Sequence, residues 1–123
     1  MKKKVLLYNF TPERVRGVRA ALSPLDCGVV SVSQKDQLLS VGAVAGLAGY
    51  ARTKSASGEL FSEEMLVMYG FFGEGIDVVI HRLKTAGVGS VPLKAVVTET
   101  NAAWDGVTLY REIKAEHERM NGI

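Results

Sequence analysis

Val5-Leu6-Leu7-Tyr8-Asn9-Phe10 and Leu66-Val67-Met68-Tyr69-Gly70-Phe71 line up position by position, and this internal match sets the fold. Each run reads as a strand, and the segments after the two runs match as well. After the first, Thr11 suits an N-cap and Pro12 the first helical position. Val15, Val18, Leu22 and Leu25 then recur at helical spacing, with Arg14, Arg16 and Arg19 outside that stripe. Pro24 ends the helix because it cannot continue the ladder. After the second run, a helix is predicted over about 74–86, with Ile76, Val79, Ile80 and Leu83 on one face and Gly87 as its stop. Residues 28–33 and 92–98 give the strand that closes each unit.

Strand chemistry separates centre from edge. Val30 and Val32 alternate with Ser31 and Ser33, and Leu93, Ala95 and Val97 alternate with Lys94 and Thr98, as half-buried strands do. The two repeated runs are apolar on both faces, so they take the centre. A duplicated βαβ with a central first and third strand predicts an α+β, ferredoxin-like two-layer sandwich of order 4-1-3-2. It would carry a helical insertion and an extra C-terminal helix. The rival is a four-stranded parallel α/β sheet. The insertion is expected to hold a short helix over 36–48 capped by Asp36 and weakened by Gly42 and Gly46, then a mobile basic loop over 49–62. The tail over 102–120 reads as a helix anchored by Tyr110, Ile113 and Met120. In a two-layer sandwich one sheet face, with Leu6, Tyr8, Val67 and Tyr69 or their neighbours of opposite parity, needs a cover. The C-terminal helix is the first expectation, with a second copy (a homodimer through the sheet face) or a small molecule behind it.

The chain of 123 residues fits a single domain, 1–123. That size buries roughly 65–70% of the unfolded surface, so no disulfide or metal is needed to fold. A net charge of +2 falls short of the concentrated charge that marks a phosphate-binding surface. Cys27 heads an apolar run and reads as an inert thiol. The start, Met1-Lys2-Lys3-Lys4-Val5, resembles an export signal, but the apolar run ends at Phe10, too short for one. No segment approaches the ~20 apolar residues of a membrane span. The expectation is a cytoplasmic protein with no membrane association.

Each chemical motif meets a structural alternative. Gly70-Phe71-Phe72-Gly73-Glu74-Gly75 stands where phosphate loops occur, yet matches neither nucleotide fingerprint and reads as a turn. Asp77 and His81 are four apart on a helix and read as a solvated pair. His117 reads as part of an exposed helix face, and no metal site can be specified. Glu63 and Glu64 are adjacent, so they point apart and make no acid–base dyad. RNA recognition is disfavoured because Leu6 stands where a stacking aromatic is needed.

Leu93-Lys94-Ala95-Val96-Val97-Thr98-Glu99-Thr100-Asn101-Ala102-Ala103-Trp104 holds the candidate ligand site: Lys94 as a cation at the strand end, then Thr98, Asn101 and Trp104. The structural alternative has Asn101 capping the last helix and Trp104 plugging it onto the sheet. This stretch, with Glu64-Met65-Leu66-Val67 and Gly70-Phe71, resembles the bacterial domain of unknown function family 3783 over about residues 60–118. The resemblance implies a small bacterial protein and no particular activity; if its motif marks a site, the matching positions are those same four. The functional expectation is a non-catalytic regulatory or ligand-binding module without a cofactor. An RNA-binding domain and an enzyme using Lys94 as an electrophilic or Schiff-base group are the alternatives.

Overall fold

A computed structural model describes residues 3–55 and 59–120. Met1-Lys2 and positions 56–58 of the expected 49–62 loop lie outside the described residues. Strands β1 (Lys3–Tyr8), β2 (Cys27–Val32), β3 (Met65–Tyr69) and β4 (Leu93–Val96) form one sheet, with helices α1 (Pro12–Leu22), α2 (Val41–Val44), α3 (Glu74–Thr85) and α4 (Gly106–Met120). The strand order is β2-β1-β3-β4. β1 runs antiparallel to β3, while β2 lies parallel to β1 and β4 parallel to β3.

The duplication and the central β1–β3 pair are therefore present, but the edges differ from the ferredoxin-like order. Each edge strand sits beside the first strand of its own βαβ unit, where 4-1-3-2 would place it beside the other unit's. The sheet is mixed, which also sets aside the all-parallel alternative. The pseudo-symmetry is visible in the register. Exchanging the halves turns the pair Val5↔Met68 into Leu7↔Leu66 and maps Leu6↔Val67 onto itself, as a local two-fold axis through that last pair requires. Asn9 (φ 66°) and Gly70 (φ 86°) occupy equivalent positions after the strands, both in the left-handed region. Asn is among the few non-glycine residues that tolerate it.

Both faces of the sheet are covered. On one, Val5, Leu7, Leu66 and Met68 pack against Val15, Val18 and Leu22 of α1 and Val79 and Leu83 of α3. Thr11 caps α1 by accepting from Arg14 N. Gly87 (φ 79°) ends α3, where Val88 N bonds back to Leu83 O. This is a Schellman closure, and both Leu83 and Val88 enter the core. On the other face, Leu6, Tyr8, Met65, Val67, Leu93 and Ala95 meet Val41 and Val44 of α2, Phe61, and Val107 and Leu109 of α4. The cover for the second apolar face comes from the chain itself, so the arrangement has three layers rather than two. Leu6, Tyr8 and Val67 are fully buried.

The insertion departs from the sequence reading in detail. The expected 36–48 helix breaks into a 3-10 helix (Gln34–Leu38) capped by Ser33 and the short α2 capped by Ser40; Asp36 lies inside the first rather than capping it. Gly46 adopts φ 77°, which stops α2. The described parts of the 49–62 segment are irregular but tied down. Ser55 N donates to Leu38 O, Arg52 donates to Ala43 O and pairs with Asp36 at 3.5 Å, and Phe61 is held by Gln37. α4 starts at Gly106 rather than 102, and Asp105 supplies the cap by accepting from Thr108 N at 2.7 Å. Its apolar face centres on Val107 and Leu109, with Tyr110 and Ile113 at the margin, while Met120 is 81% exposed rather than an anchor.

Candidate functional site

The four positions singled out by sequence do not converge. Lys94 pairs with Leu66 in the β3–β4 register, so it shares the sheet face covered by α1 and α3. Its ammonium donates to Val91 O at 2.6 Å. Burial, and secondarily the charge of Lys84, pushes its pKa down. Thr98 and Asn101 are spent on each other. Thr98 N donates to Asn101 Oδ1 at 2.8 Å, Asn101 N donates to Thr98 Oγ1 at 3.1 Å, and Asn101 Nδ2 donates to Val96 O. This reciprocal turn shapes the β4–α4 connection, and Asn101 is not the cap of α4. Trp104 packs against the core on the opposite sheet face from Lys94. Lys94 is on the face of Leu66 and Trp104 on that of the second core, so the sheet separates them.

Trp104 instead borders a shallow cleft of about 300 Å³ with Leu38, Ser40, Thr53, Ser55, Asp105 and Thr108. Three segments meet there. A bridge between Ser40 and Asp105, with Val41 N donating to Trp104 O at 2.8 Å, fastens the start of α2 to the turn before α4. Ser55 Oγ donates to Asp105 Oδ2 at 2.6 Å and brings in the irregular segment. Burial opposes ionisation of Asp105, but hydrogen bonds from Ser55 and Thr108, aided by Arg111, outweigh it and hold the carboxyl below its ordinary value. The Trp104 indole N–H and the Thr53 hydroxyl make no hydrogen bond among the described residues.

Behind this cleft the Tyr8 ring abuts the start of α4, where a Cβ on Gly106 would lie 2.7 Å from Tyr8 Cε2. Its hydroxyl is buried with no partner among the described residues. Burial, then Asp105 and Asp36, push its pKa strongly upward, so it stays a neutral donor. A buried hydroxyl without a partner costs roughly 1–3 kcal/mol. Beside it, Gln37 Nε2 donates to Asn9 Oδ1 and Phe61 O, and Gln37 Oε1 accepts from Phe61 N. Asn9 Nδ2 donates to Phe61 O and Glu63 O.

A second group lies along α4. Tyr110 and Lys114 both donate to Glu63, and His117 borders the adjoining cleft with Glu64, Pro92 and Leu93. Hydrogen bonds from Tyr110 and Lys114 hold the Glu63 carboxyl below its ordinary value, and Tyr110 is pushed up to about 12, chiefly by Glu63. These groups neutralise one another, and His117 is half-buried rather than on a free helix face. Tyr110, Lys114 and His117 stand at i, i+4 and i+7, a spacing that puts them on one face and that was readable in the sequence; Glu63 as their common partner was not.

Elsewhere the chemistry is quiet. Asp77 and His81 are exposed on α3. Phe71 is buried while Phe72 is 77% exposed at the turn flanked by Gly70 and Gly73. Burial, then Asp26, raises the Cys27 pKa and disfavours the thiolate. Arg14 makes a two-point contact with Glu64, at 2.6 and 2.9 Å, that ties α1 to the start of β3. Among the described residues no three His, Cys, Asp or Glu side chains converge to hold a metal, and no helix is long and apolar enough to cross a membrane.

Residues 64–120 match the model of a protein family described as Domain of unknown function (DUF3783). The match runs from the residue before β3 to the end of α4, and it is the family that the sequence resembles over about residues 60–118. No curated protein and no solved structure matches the chain.

Proposed function

We propose that this protein is a non-catalytic ligand-binding module whose site is the Trp104–Asp105 cleft, and that its ligand is a neutral, hydroxyl-rich molecule of monosaccharide size. The supporting observation is the pairing of a half-buried indole, its N–H unpartnered among the described residues, with a rim of hydroxyls from Ser40, Thr53, Ser55 and Thr108. An aromatic face beside convergent polar groups suits a ligand with one apolar face and several hydroxyls. Among the described residues no lysine or arginine lines the cleft, and its carboxylate is already engaged by Ser55 and Thr108. An anionic ligand would find no counter-charge there. A volume of about 300 Å³ is at the lower end for small-molecule sites, which sets the size. The α4 cluster supports a site less well, because its charges are consumed internally.

Trp104 is the chain's single tryptophan, so its emission reports on the cleft alone. Titration with glucose, ribose, inositol and neutral nucleosides is expected to change that emission saturably for at least one compound. Thr53→Val is expected to weaken that compound about fivefold, the worth of one hydrogen bond of ~1 kcal/mol. Emission that stays flat for every compound at tens of millimolar would remove the reading.

A further inference from the structure

A second feature lies on the other sheet face and does not depend on the Trp104 cleft. A small pocket between the end of α3 and the start of β4 is lined by Ile80, Leu83, Lys84, Gly89, Ser90, Val91 and Lys94. Lys84, Lys94 and Ser90 are among its lining residues, and no acidic residue among the described ones lines it. We propose that this pocket is a binding site for a compact oxyanion of the phosphate type, held by Lys94 and Lys84 with Ser90.

Three observations carry this. Lys94 is half-buried, and its Nζ is fixed by the bond to Val91 O. An ammonium has three donors, so two remain for a ligand. Lys84, in the last turn of α3, brings a second positive charge close enough to disfavour the first. An unbalanced pair of like charges beside a low-dielectric wall is costly, and an anion between them reverses the sign of that cost. The cavity volume of about 40 Å³ sets the ligand's size. It has room for about three water-sized spheres, which suits a single phosphoryl or sulfate-like group and excludes a nucleoside or a sugar ring. Gly89, at positive φ, lies in the loop that lines this pocket. The ordinary alternative is that Lys84 only complements the carboxy-terminal end of the α3 dipole and that Lys94 only satisfies Val91 O.

The test is a titration of the full chain with inorganic phosphate, monitored through the backbone amide and lysine ammonium resonances in NMR, against sodium chloride at matched ionic strength. Saturable shifts at Ser90 and Lys94 that chloride does not reproduce are expected. Lys84→Gln is the decisive variant because Lys84 is exposed and its loss leaves the core intact. It is expected to weaken phosphate by up to about fivefold, the upper end of the range for an exposed charge contact. Lys94→Gln should abolish saturation. No saturable shift, shifts equal to those in chloride, or a Lys84→Gln affinity unchanged from the parent would each overturn the proposal.

Discussion

Gly106→Ala is expected to destabilise the protein even though alanine is the better helix former. Gly106 opens α4, and a Cβ there would lie 2.7 Å from Tyr8 Cε2, 3.3 Å from Tyr8 Cζ and 3.1 Å from the Gln37 carbonyl oxygen. Ordinary contact begins near 3.4 Å. Tyr8 is fully buried on a central strand and cannot swing aside, so either its ring leaves its rotamer or α4 lifts from the sheet. Overpacking of this kind costs about 1–3 kcal/mol. The propensity gain is at most about 1 kcal/mol and smaller at the first helical position. The net loss is about 1–2 kcal/mol. With a urea slope of about 1–3 kcal/mol/M, the midpoint should fall by roughly 0.3–2 M. The assay is paired urea melts by circular dichroism. A Gly106→Ala midpoint at or above the parent's would refute the close seating of α4 on Tyr8.

The polar groups give three further expectations. Gln37→Leu removes both bonds to the buried Phe61 backbone and the bond to Asn9; a loss of about 2–4 kcal/mol is expected in the same melts, and a loss under about 1 kcal/mol contradicts the network. Glu63 should titrate below the ordinary 4.5 by carboxyl NMR, and Tyr110→Phe should move it back up. Because the folded form holds Glu63 ionised, its contribution is present above the unfolded value and lost as pH falls through the lowered one. The stability deficit of Tyr110→Phe should accordingly be full at neutral pH and shrink below about pH 4, and a deficit that grows on acidification has the wrong sign.

Much of the architecture was legible, and the reason is specific. Leu6 and Val67 fall on equivalent positions of two runs apolar on both faces, which only a central strand buried on both sides explains. The edge order was not legible from strand chemistry. Val32 and Leu93 alternate in the same way whichever central neighbour they take. The overlooked signal was length. Residues 33–64 separate β2 from β3, far more than the hairpin that places those strands side by side in the ferredoxin-like order. That stretch instead carries the 3-10 helix and α2 across the second face. At the candidate site, Trp104 was recognisable by type, but its companions were not. Ser40, Thr53 and Ser55 come from a stretch with no periodicity, and long-range contacts such as Ser55–Asp105, Ser40–Asp105 and Val41 N to Trp104 O bring it in. Lys94 was placed with Trp104 because the two are near in sequence, whereas the turn and 3-10 helix after β4 carry Trp104 to the core on the opposite face.

The cleft as a binding site is tested most directly by amide NMR during addition of neutral hydroxylated compounds. Saturable shifts gathered at the Trp104 indole N–H and the amides of Ser40, Thr53 and Thr108 are expected. Shifts confined to Glu63, Lys114 and His117, or no saturable shift at any amide, would contradict it.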